Sequence, residues 1–555
     1  MNQEIKIIFK DDDPVMFKKG VSLYEISESF QNKFNYSILA GKLNNNIVNL
    51  NEVVEKKSKI DFYDRSSFQG QKIYESTLHF MLIVAAKRIF GKTTNVRIDH
   101  SIDKGVYCEI RGVDLDKRKL EKIENEMNEM RYNNLRIEKL SVSRLEAISY
   151  FTKIKQFDKV SMLKYMTNRY IDLYNLDGIY DYFFTEMAFS TGQIDSFKFS
   201  YIKDDGFVLT YPDLYNPEVT LEYRHHKILF DKFLDYSKWG ETIGIDNASD
   251  LNEVVSHGKY NEAIRLAECK YDSQLANIAI QINQNRKNIK MVLIGGPSSS
   301  GKTTTSKKLA VYLQTQGFRT HAISIDDYFL DRDKTPLLPN GEFDFESVRA
   351  IDLELFNKQL TQMLDGKKVL LPEYNFVTGK KEFKKRWIQL TDSDILVIEG
   401  LHALNDLLTQ SIDRKHKYKV IIGPLTQLNI DDHNRIHTSD VRKLRRIVRD
   451  NKYRGRSASD TLGMWKNITH GEQKYIFPFQ NDVDIILNTA LIYEIGVLKT
   501  YVEPLLYSVE ENDPTFTEAT RLLNFLKNFL TIPSDEVPKD SILREFIGGS
   551  GFQEW

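Results

Sequence analysis

The chain has 555 residues, 41% hydrophobic and 28% charged, with a formal net charge of −1. That length exceeds one core and predicts roughly three or four domains, and the balanced charge excludes a globally basic nucleic-acid binder. Cys108 and Cys269 form neither a metal-spaced cluster nor a disulfide framework. With no apolar run of about 18 residues and no signal-peptide core, a cytoplasmic protein without membrane contact is expected.

In chain order, Ile5–Phe9 reads as a strand, Asp11–Pro14 as a turn and Tyr24–Lys33 as a helix. Ser37–Ala40 and Ile60–Tyr63 read as short strands. This order, over residues 1–64, resembles the β-grasp TGS domain at the front of threonyl-tRNA synthetases and some regulatory GTPases. Residues 65–240 follow with a helix over Glu75–Phe90, strands at Val96–His100 and Gly105–Ile110, and a charged amphipathic helix at Leu120–Met127. A strand–helix pair over Arg136–Phe151 places Ser143 and Glu146 at capping-box spacing. The order is similar to the α+β editing domain of threonyl- and alanyl-tRNA synthetases.

Those editing domains carry H-x-x-x-H on their first helix. Here His79 has Glu75 and Ile83 four residues to either side, and the adjacent His225 and His226 point in different directions. Metal ligands come as constellations, so His79 is expected to be a packed helix residue and the domain a scaffold without its hydrolytic site. Phe183–Thr185, Ser196–Tyr201 and Gly206–Tyr211 read as β-like; with Ser190–Gly192 they make either a ligand groove or, the favoured reading, a plain β face. Residues 241–289 read as a helical connector, with helices at Asp250–Val255 and Asn261–Asn285.

Residues 290–510 carry the chemistry. The apolar run Met291–Ile294 leads into Gly296-Pro-Ser-Ser-Ser-Gly-Lys-Thr303, and a helical segment Thr304–Gln316 closes at Gly317. Strand, G-x-x-x-x-G-K-[ST] and helix together make a phosphate-binding loop, which predicts a bound nucleoside triphosphate with Mg²⁺; in the kinase reading that follows, the nucleotide is expected to be ATP. Backbone N–H groups of Gly296, Ser298, Ser299, Ser300, Gly301, Lys302, Thr303 and Thr304 would surround the phosphates. Lys302 would reach the terminal phosphates, and the Thr303 hydroxyl would ligate the metal. A second strand, Thr320–Ile325, ends at Asp326, placed to accept a proton from an attacking hydroxyl. Asp394–Gly400 is a buried strand of Walker B type, whose Glu399 would orient the metal through water. Arg442, Arg445, Arg446 and Arg449 share one helical face, and Arg454-Gly-Arg456 follows as a flexible basic tip, an arrangement suited to a lid over phosphates. A nucleic-acid patch is the competing reading of that run.

The order of phosphate loop, Asp326-Asp-Tyr-Phe329, Phe343-Asp-Phe345, Pro372–Thr378, Glu399-Gly400 and arginine lid resembles the uridine kinase/phosphoribulokinase family. The resemblance implies a P-loop α/β kinase domain with a parallel sheet, so that the whole is a multidomain α+β and α/β protein. It implies Asp326 as general base, Asp344 on acceptor ribose hydroxyls and Tyr374 beside the nucleoside. It also implies Arg446 near the acceptor, and Arg449, Arg454 and Arg456 on the phosphates. Two positions depart from it: the pyrimidine-reading histidine and glutamine of uridine kinases are replaced by Gly379 and Met464. The acceptor is therefore expected to be nucleoside-like without being fixed as uridine. The alternative is a regulatory NTP-binding protein that contacts RNA or tRNA through its front half; a homo-oligomer stays open. The tail, residues 511–555, reads as two short helices.

Overall fold

The computed structural model describes residues 4–10, 13–202, 206–337, 341, 343–375, 377–426 and 428–552. Part of the Asp11–Pro14 turn and Phe376 of the Pro372–Thr378 segment lie outside the described residues. The chain forms two compact units. The first comprises Met1–His257, Gln427–His437 and Leu506–Leu530; the second comprises Gly258–Thr426, Thr438–Leu505 and Thr531–Trp555. The expected 290–510 block thus gives up an internal segment, and the expected tail divides between the units. The connector also divides: it begins inside the helix Lys227–Ile243, and its last helix, Tyr260–Gln284, belongs to the second unit.

In the first unit, a mixed sheet orders its strands Val15–Lys18, Glu4–Phe9, Ser58–Tyr63, Ala40–Leu43 and Asn46–Val48, with Glu4–Phe9 and Ser58–Tyr63 parallel. Alternation of Ile5, Ile7 and Phe9 puts them on one buried face, where Phe9 stacks on Phe30 of the helix Leu23–Phe30 at 4.5 Å. The strand expected at Ser37–Ala40 instead runs Ala40–Leu43. Ile38 N–H is drawn off to the Gln31 side chain at 3.1 Å, so regular pairing starts later.

Next comes the helix Phe68–Phe90, buried over most of its length because its apolar residues run right round it. It packs into a core with a four-stranded antiparallel sheet (Lys198–Ile202, Gly206–Thr210, Gly105–Arg111, Asn95–Ile102). Ser143 and Glu146 form the expected capping box. Phe183–Thr185 is not a strand; Phe183 packs in the core against Phe80 at 5.5 Å. Nor do Ser190–Gly192 line a groove: Thr191 is fully buried, its hydroxyl donating to the Met130 carbonyl at 2.6 Å.

The second unit centres on a five-stranded all-parallel sheet. Its strands are β1 (Met291–Gly295), β2 (Arg319–Ser324), β3 (Asp394–Glu399), β4 (Lys417–Gly423) and β5 (Ile485–Asn488), in the spatial order β2-β3-β1-β4-β5. β1 and β4 are buried at every residue, and β3 at all but Glu399, as a sheet covered on both faces requires; their apolar stretches are Met291–Ile294, Val420–Ile422 and Ile395–Ile398. Helix α1 (Lys302–Thr315) follows β1, and Gly317 ends it with φ +80°. Tyr271 of the helix Tyr260–Gln284 shares a hydrogen bond with Thr305 of α1 at 2.7 Å. Three further helices matter: α2 (Thr438–Arg454), α3 (Trp465–Tyr475) and α4 (Arg544–Ile547). Among the described residues no helix is long and apolar enough to cross a membrane.

Candidate active site

The phosphate loop is shaped by constraints from outside it. Gly296 lies so close to the Ile422 carbonyl that a Cβ would collide, and Ser299 is held at φ 59°, a left-handed conformation uncommon for a residue with a side chain. From α2, Arg442 Nε donates to the Ser298 carbonyl at 2.9 Å, while Arg445 Nη1 reaches the Ser299 and Ser300 carbonyls at 3.4 and 3.5 Å. Thr489 Oγ1 also donates to the Ser300 carbonyl, at 2.8 Å. A trans peptide points its N–H opposite its C=O, so tying the Ser298 and Ser300 carbonyls outward turns the Ser299 and Gly301 N–H groups the other way. The Ser299 and Ser300 hydroxyls are buried without a partner among the described residues. Such a nest of amides and orphan hydroxyls at a helix N-terminus fits a phosphate.

Lys302 folds back so that its Nζ donates to the Gly296 and Pro297 carbonyls at 3.0 and 3.1 Å. Burial lowers its pKa against the pull of Glu399 and Asp326. Thr303 is exposed on the first turn of α1. Two of the amides expected to surround the phosphates, one in the motif and one just past it, already have carboxylate partners. Glu472 Oε1 on α3 accepts from Ser298 N–H at 2.9 Å and pairs with Arg442. Glu545 Oε2 on α4 accepts from Thr304 N–H at 3.1 Å and from its hydroxyl at 2.8 Å.

Ser324 and Glu399 are register partners, so β2 and β3 end level beside the loop, the place where open parallel sheets bind ligands. Ser324 Oγ donates to Glu399 Oε1 at 3.2 Å. Burial, together with Asp326, pushes the Glu399 carboxyl up to about 7, with Lys302 opposing. Asp326 stands in the turn Ile325–Tyr328 just past β2. It keeps a solvent-exposed face while protein crowds round it, as a group lining a narrow cleft does. Burial raises its pKa; Lys302, Arg454 and Arg449 pull it down. Lys302, Asp326, Glu399, Arg449 and Arg454 therefore share one electrostatic site.

The four arginines expected to form a lid divide into two pairs. Arg445 is fully buried, its Nε on Glu494 at 2.6 Å and its Nη2 on the Thr489 carbonyl at 2.7 Å. With Arg442 it braces the loop and does not act as a lid. Arg446 contacts the Ser298 hydroxyl and lies 3.1 Å from Asp450. Arg449 donates twice to Asp450 Oδ1, at 2.9 and 2.7 Å, and Arg454 lies 3.6 Å from the same oxygen. Arg454 is the last residue of α2, so the helix takes in the first residue of the expected flexible tip and leaves Gly455, at φ +61°, and Arg456 beyond its end. Arg456 N–H donates to the Asp450 carbonyl at 3.2 Å, and its guanidinium reaches Met464 Sδ at 3.3 Å. Although burial raises it, the Asp450 carboxyl is held below its usual range by Arg449 and Arg446. The crowding of like charges has its own effect: burial, then Arg449, lowers Arg446 to about 10.

Of the residues expected at the acceptor, Asp344 is half-buried, and its N–H donates to the Pro336 carbonyl at 2.7 Å. Tyr374 is buried in the short strand Glu373–Asn375, its ring 5.6 Å from Phe329. Gly379 closes the hairpin between that strand and Lys380–Glu382 at φ +68°, where a Cβ would lie 2.9 Å from the Arg332 Cβ. Sequence reasoning missed Glu346, two residues beyond Asp344. Burial and the neighbouring Glu472 push its carboxyl up to about 7, with Arg446 and Lys302 opposing. It also missed Asp450, Glu472 and Glu545. The i, i+4 spacing of Asp450 from both Arg446 and Arg454 is a signal that could have found the first; nothing local marks the others.

The described family that matches is the Phosphoribulokinase / Uridine kinase family, over residues 291–492. The chain is similar to the uridine kinase of Ligilactobacillus salivarius, 30% identical over 208 residues, which cover 37% of this chain and 87% of that protein. Its N-terminal part is similar to the threonine–tRNA ligase of Caldanaerobacter subterraneus subsp. tengcongensis. There the identity is 30% over 164 residues, 28% of this chain and 24% of the ligase. Among solved structures, D-glycerate 3-kinase from Cryptococcus neoformans overlaps 49% of this chain and 89% of its own at 16% identity, with a TM-score of 0.22, too slight a likeness to carry an argument.

Proposed function

The chain belongs to the phosphoribulokinase/uridine kinase family and is a phosphotransferase with an alcohol acceptor, and on that premise we propose that it moves the γ-phosphate of ATP to a hydroxyl of a nucleoside-like acceptor. The observation that carries the reading is the meeting of Asp326, Lys302, Glu399 and the Asp450-pinned arginines beside the phosphate loop. Asp326 takes the proton as the acceptor oxygen bonds to the γ-phosphorus, and the bond to the β–γ bridging oxygen breaks to leave ADP. Lys302, Arg446, Arg449, Arg454 and Arg456 neutralise the charge spread over the transferring group. Thr303 and Glu399 would hold Mg²⁺, which supplies charge neutralisation of the phosphates; one or two protein ligands suffice for such an ion. Asp344 and Tyr374 are assigned to the acceptor. Gly379 and Met464 remove pyrimidine readers, so a base other than uracil or cytosine is compatible with the site.

We read residues 1–64 and 65–240 as TGS-like and editing-like modules, supported by the likeness to threonine–tRNA ligase. A role for them in contacting tRNA is the second reading that this likeness favours. The deciding experiment is ADP release by purified protein with ATP and Mg²⁺ across a nucleoside panel, with Lys302→Ala as control. Stimulation by one nucleoside, lost in Lys302→Ala, is expected. A flat response with ATP still bound would favour the second reading.

A further inference from the structure

The C-terminal segment reaches the phosphate loop in a manner that no motif anticipates. Ile542, Leu543, Phe546 and Ile547 are buried, and Phe546 lies under the Arg445 guanidinium at 5.1 Å. The segment is fixed at both ends: Asp540 pairs with Lys308 at 3.0 Å, and Lys452 Nζ donates to the Ile547 carbonyl at 2.7 Å. Arg544 Nη2 holds the Ser534 and Val537 carbonyls at 2.8 and 2.7 Å, closing the loop that precedes α4. This anchoring delivers one carboxylate oxygen of Glu545 to both the N–H and the hydroxyl of Thr304.

Thr304 belongs to the first turn of α1, where the free amides and the helix dipole favour an anion. In a phosphate loop those amides are the donors to nucleotide phosphate. A phosphate and a carboxylate cannot share one donor, because two anions in contact repel and each needs the same N–H. Glu545 also adds its negative charge to the surroundings of Glu399.

We propose that Glu545 is a built-in competitor for nucleotide phosphate: it occupies the Thr304 donors in the nucleotide-free protein and is displaced when nucleotide binds. This rests on the kinase reading of the loop. Glu545 thus sets the nucleotide concentration at which the site fills, and binding releases the end of α4 from α1.

The test uses the full-length chain and MgADP without acceptor, so it does not depend on knowing the acceptor. Calorimetric Kd values are compared for the wild type, Glu545→Ala, Glu545→Gln and, as a control for loss of one tail charge, Glu536→Gln. A charge-assisted hydrogen bond removed from the free state predicts a Kd about tenfold lower in Glu545→Ala. A smaller gain is expected in Glu545→Gln, which keeps the shape of the side chain should the alanine variant misfold, and no change in Glu536→Gln. Amide exchange of residues 541–548 in the wild type is expected to speed up on saturation with MgADP. Equal or weaker binding by both Glu545 variants, or slower exchange on saturation, overturns the competitor while leaving the kinase reading intact. Absence of MgADP binding in every variant overturns the phosphate-loop assignment and the competitor together.

Discussion

Asp450 gathers three cations, and this gives it a role no motif assigns. Arg446, Arg449 and Arg454 each lie within 3.6 Å of its carboxylate. Without that anion the three guanidiniums repel one another and lose their shared orientation, so Asp450 acts as a positioning residue for the arginines proposed to meet the phosphates. Asp450→Asn is expected to lower kcat/KM about ten- to hundredfold, with KM for ATP rising and the circular-dichroism spectrum unchanged. Glu399 makes a second prediction at this scale. Its carboxyl is pushed up to about 7, and on the proposed reading only its ionised form would serve the metal. Mg²⁺-dependent nucleotide affinity should therefore fall as pH drops from about 8 towards 6. Glu399→Gln should bind more weakly and show a flat profile, measured by titration at each pH.

At the scale of elements, the helix Phe68–Phe90 shows what stands where the editing domains carry their paired histidines. Glu75 receives both Nε and Nη2 of Arg435, at 2.8 and 2.6 Å, and His79 sits one turn further on, buried, its Nε2 without a partner among the described residues. Burial depresses His79 to about 4; Glu75 opposes this, and Arg435 and His433 add to it. A base whose folded pKa lies below its unfolded value of 6.5 binds fewer protons when folded. Its stability contribution is complete above pH 6.5 and is lost as pH falls towards 4, by up to about 3 kcal/mol. Calorimetric melting of the first unit should show this slope, and His79→Gln should flatten it.

The reading of His79 as a packed residue was legible because a lone imidazole lacks a constellation. The capping box at Ser143 was legible because its four residues are contiguous. The expected strand at Ser37–Ala40 was misplaced because a side chain, Gln31, competes for the backbone there. The hairpin at Gly379 was legible only as a lost base reader. Its physical reason is a left-handed turn packed against Arg332, which propensity alone does not reveal. Gly379→His is accordingly expected to lower the melting temperature by a few degrees without creating a preference for uridine, as scanning calorimetry and the nucleoside panel would check.

For the whole molecule, the decisive feature is how the chain is threaded. It passes between the units at His257–Gly258, Thr426–Gln427, His437–Thr438, Leu505–Leu506 and Leu530–Thr531. The short internal segment supplies Asp431, His433 and Arg435 to the first unit. There Lys159 Nζ lies 2.9 Å from Asp181 and 3.1 Å from Asp431, all three fully buried, and His433 Nδ1 is 2.6 Å from Asp181. Nothing in its sequence marks these pairings, because its partners lie more than 250 residues away, beyond the reach of any local pattern. Breaking a buried pair strands a charge in low dielectric, at about 3–5 kcal/mol. Arg435→Ala should therefore lower the melting transition of the first unit by about 10 °C. A fragment of residues 1–257 joined by a flexible linker to 506–530 would still lack three such partners at once, for Glu75, Asp181 and Lys159. It is expected to lack a cooperative thermal transition, whereas the same fragment joined through a flexible linker to residues 428–437 should regain one. Cooperative melting of that fragment without residues 428–437 would mean that the segment decorates the first unit and does not complete its core.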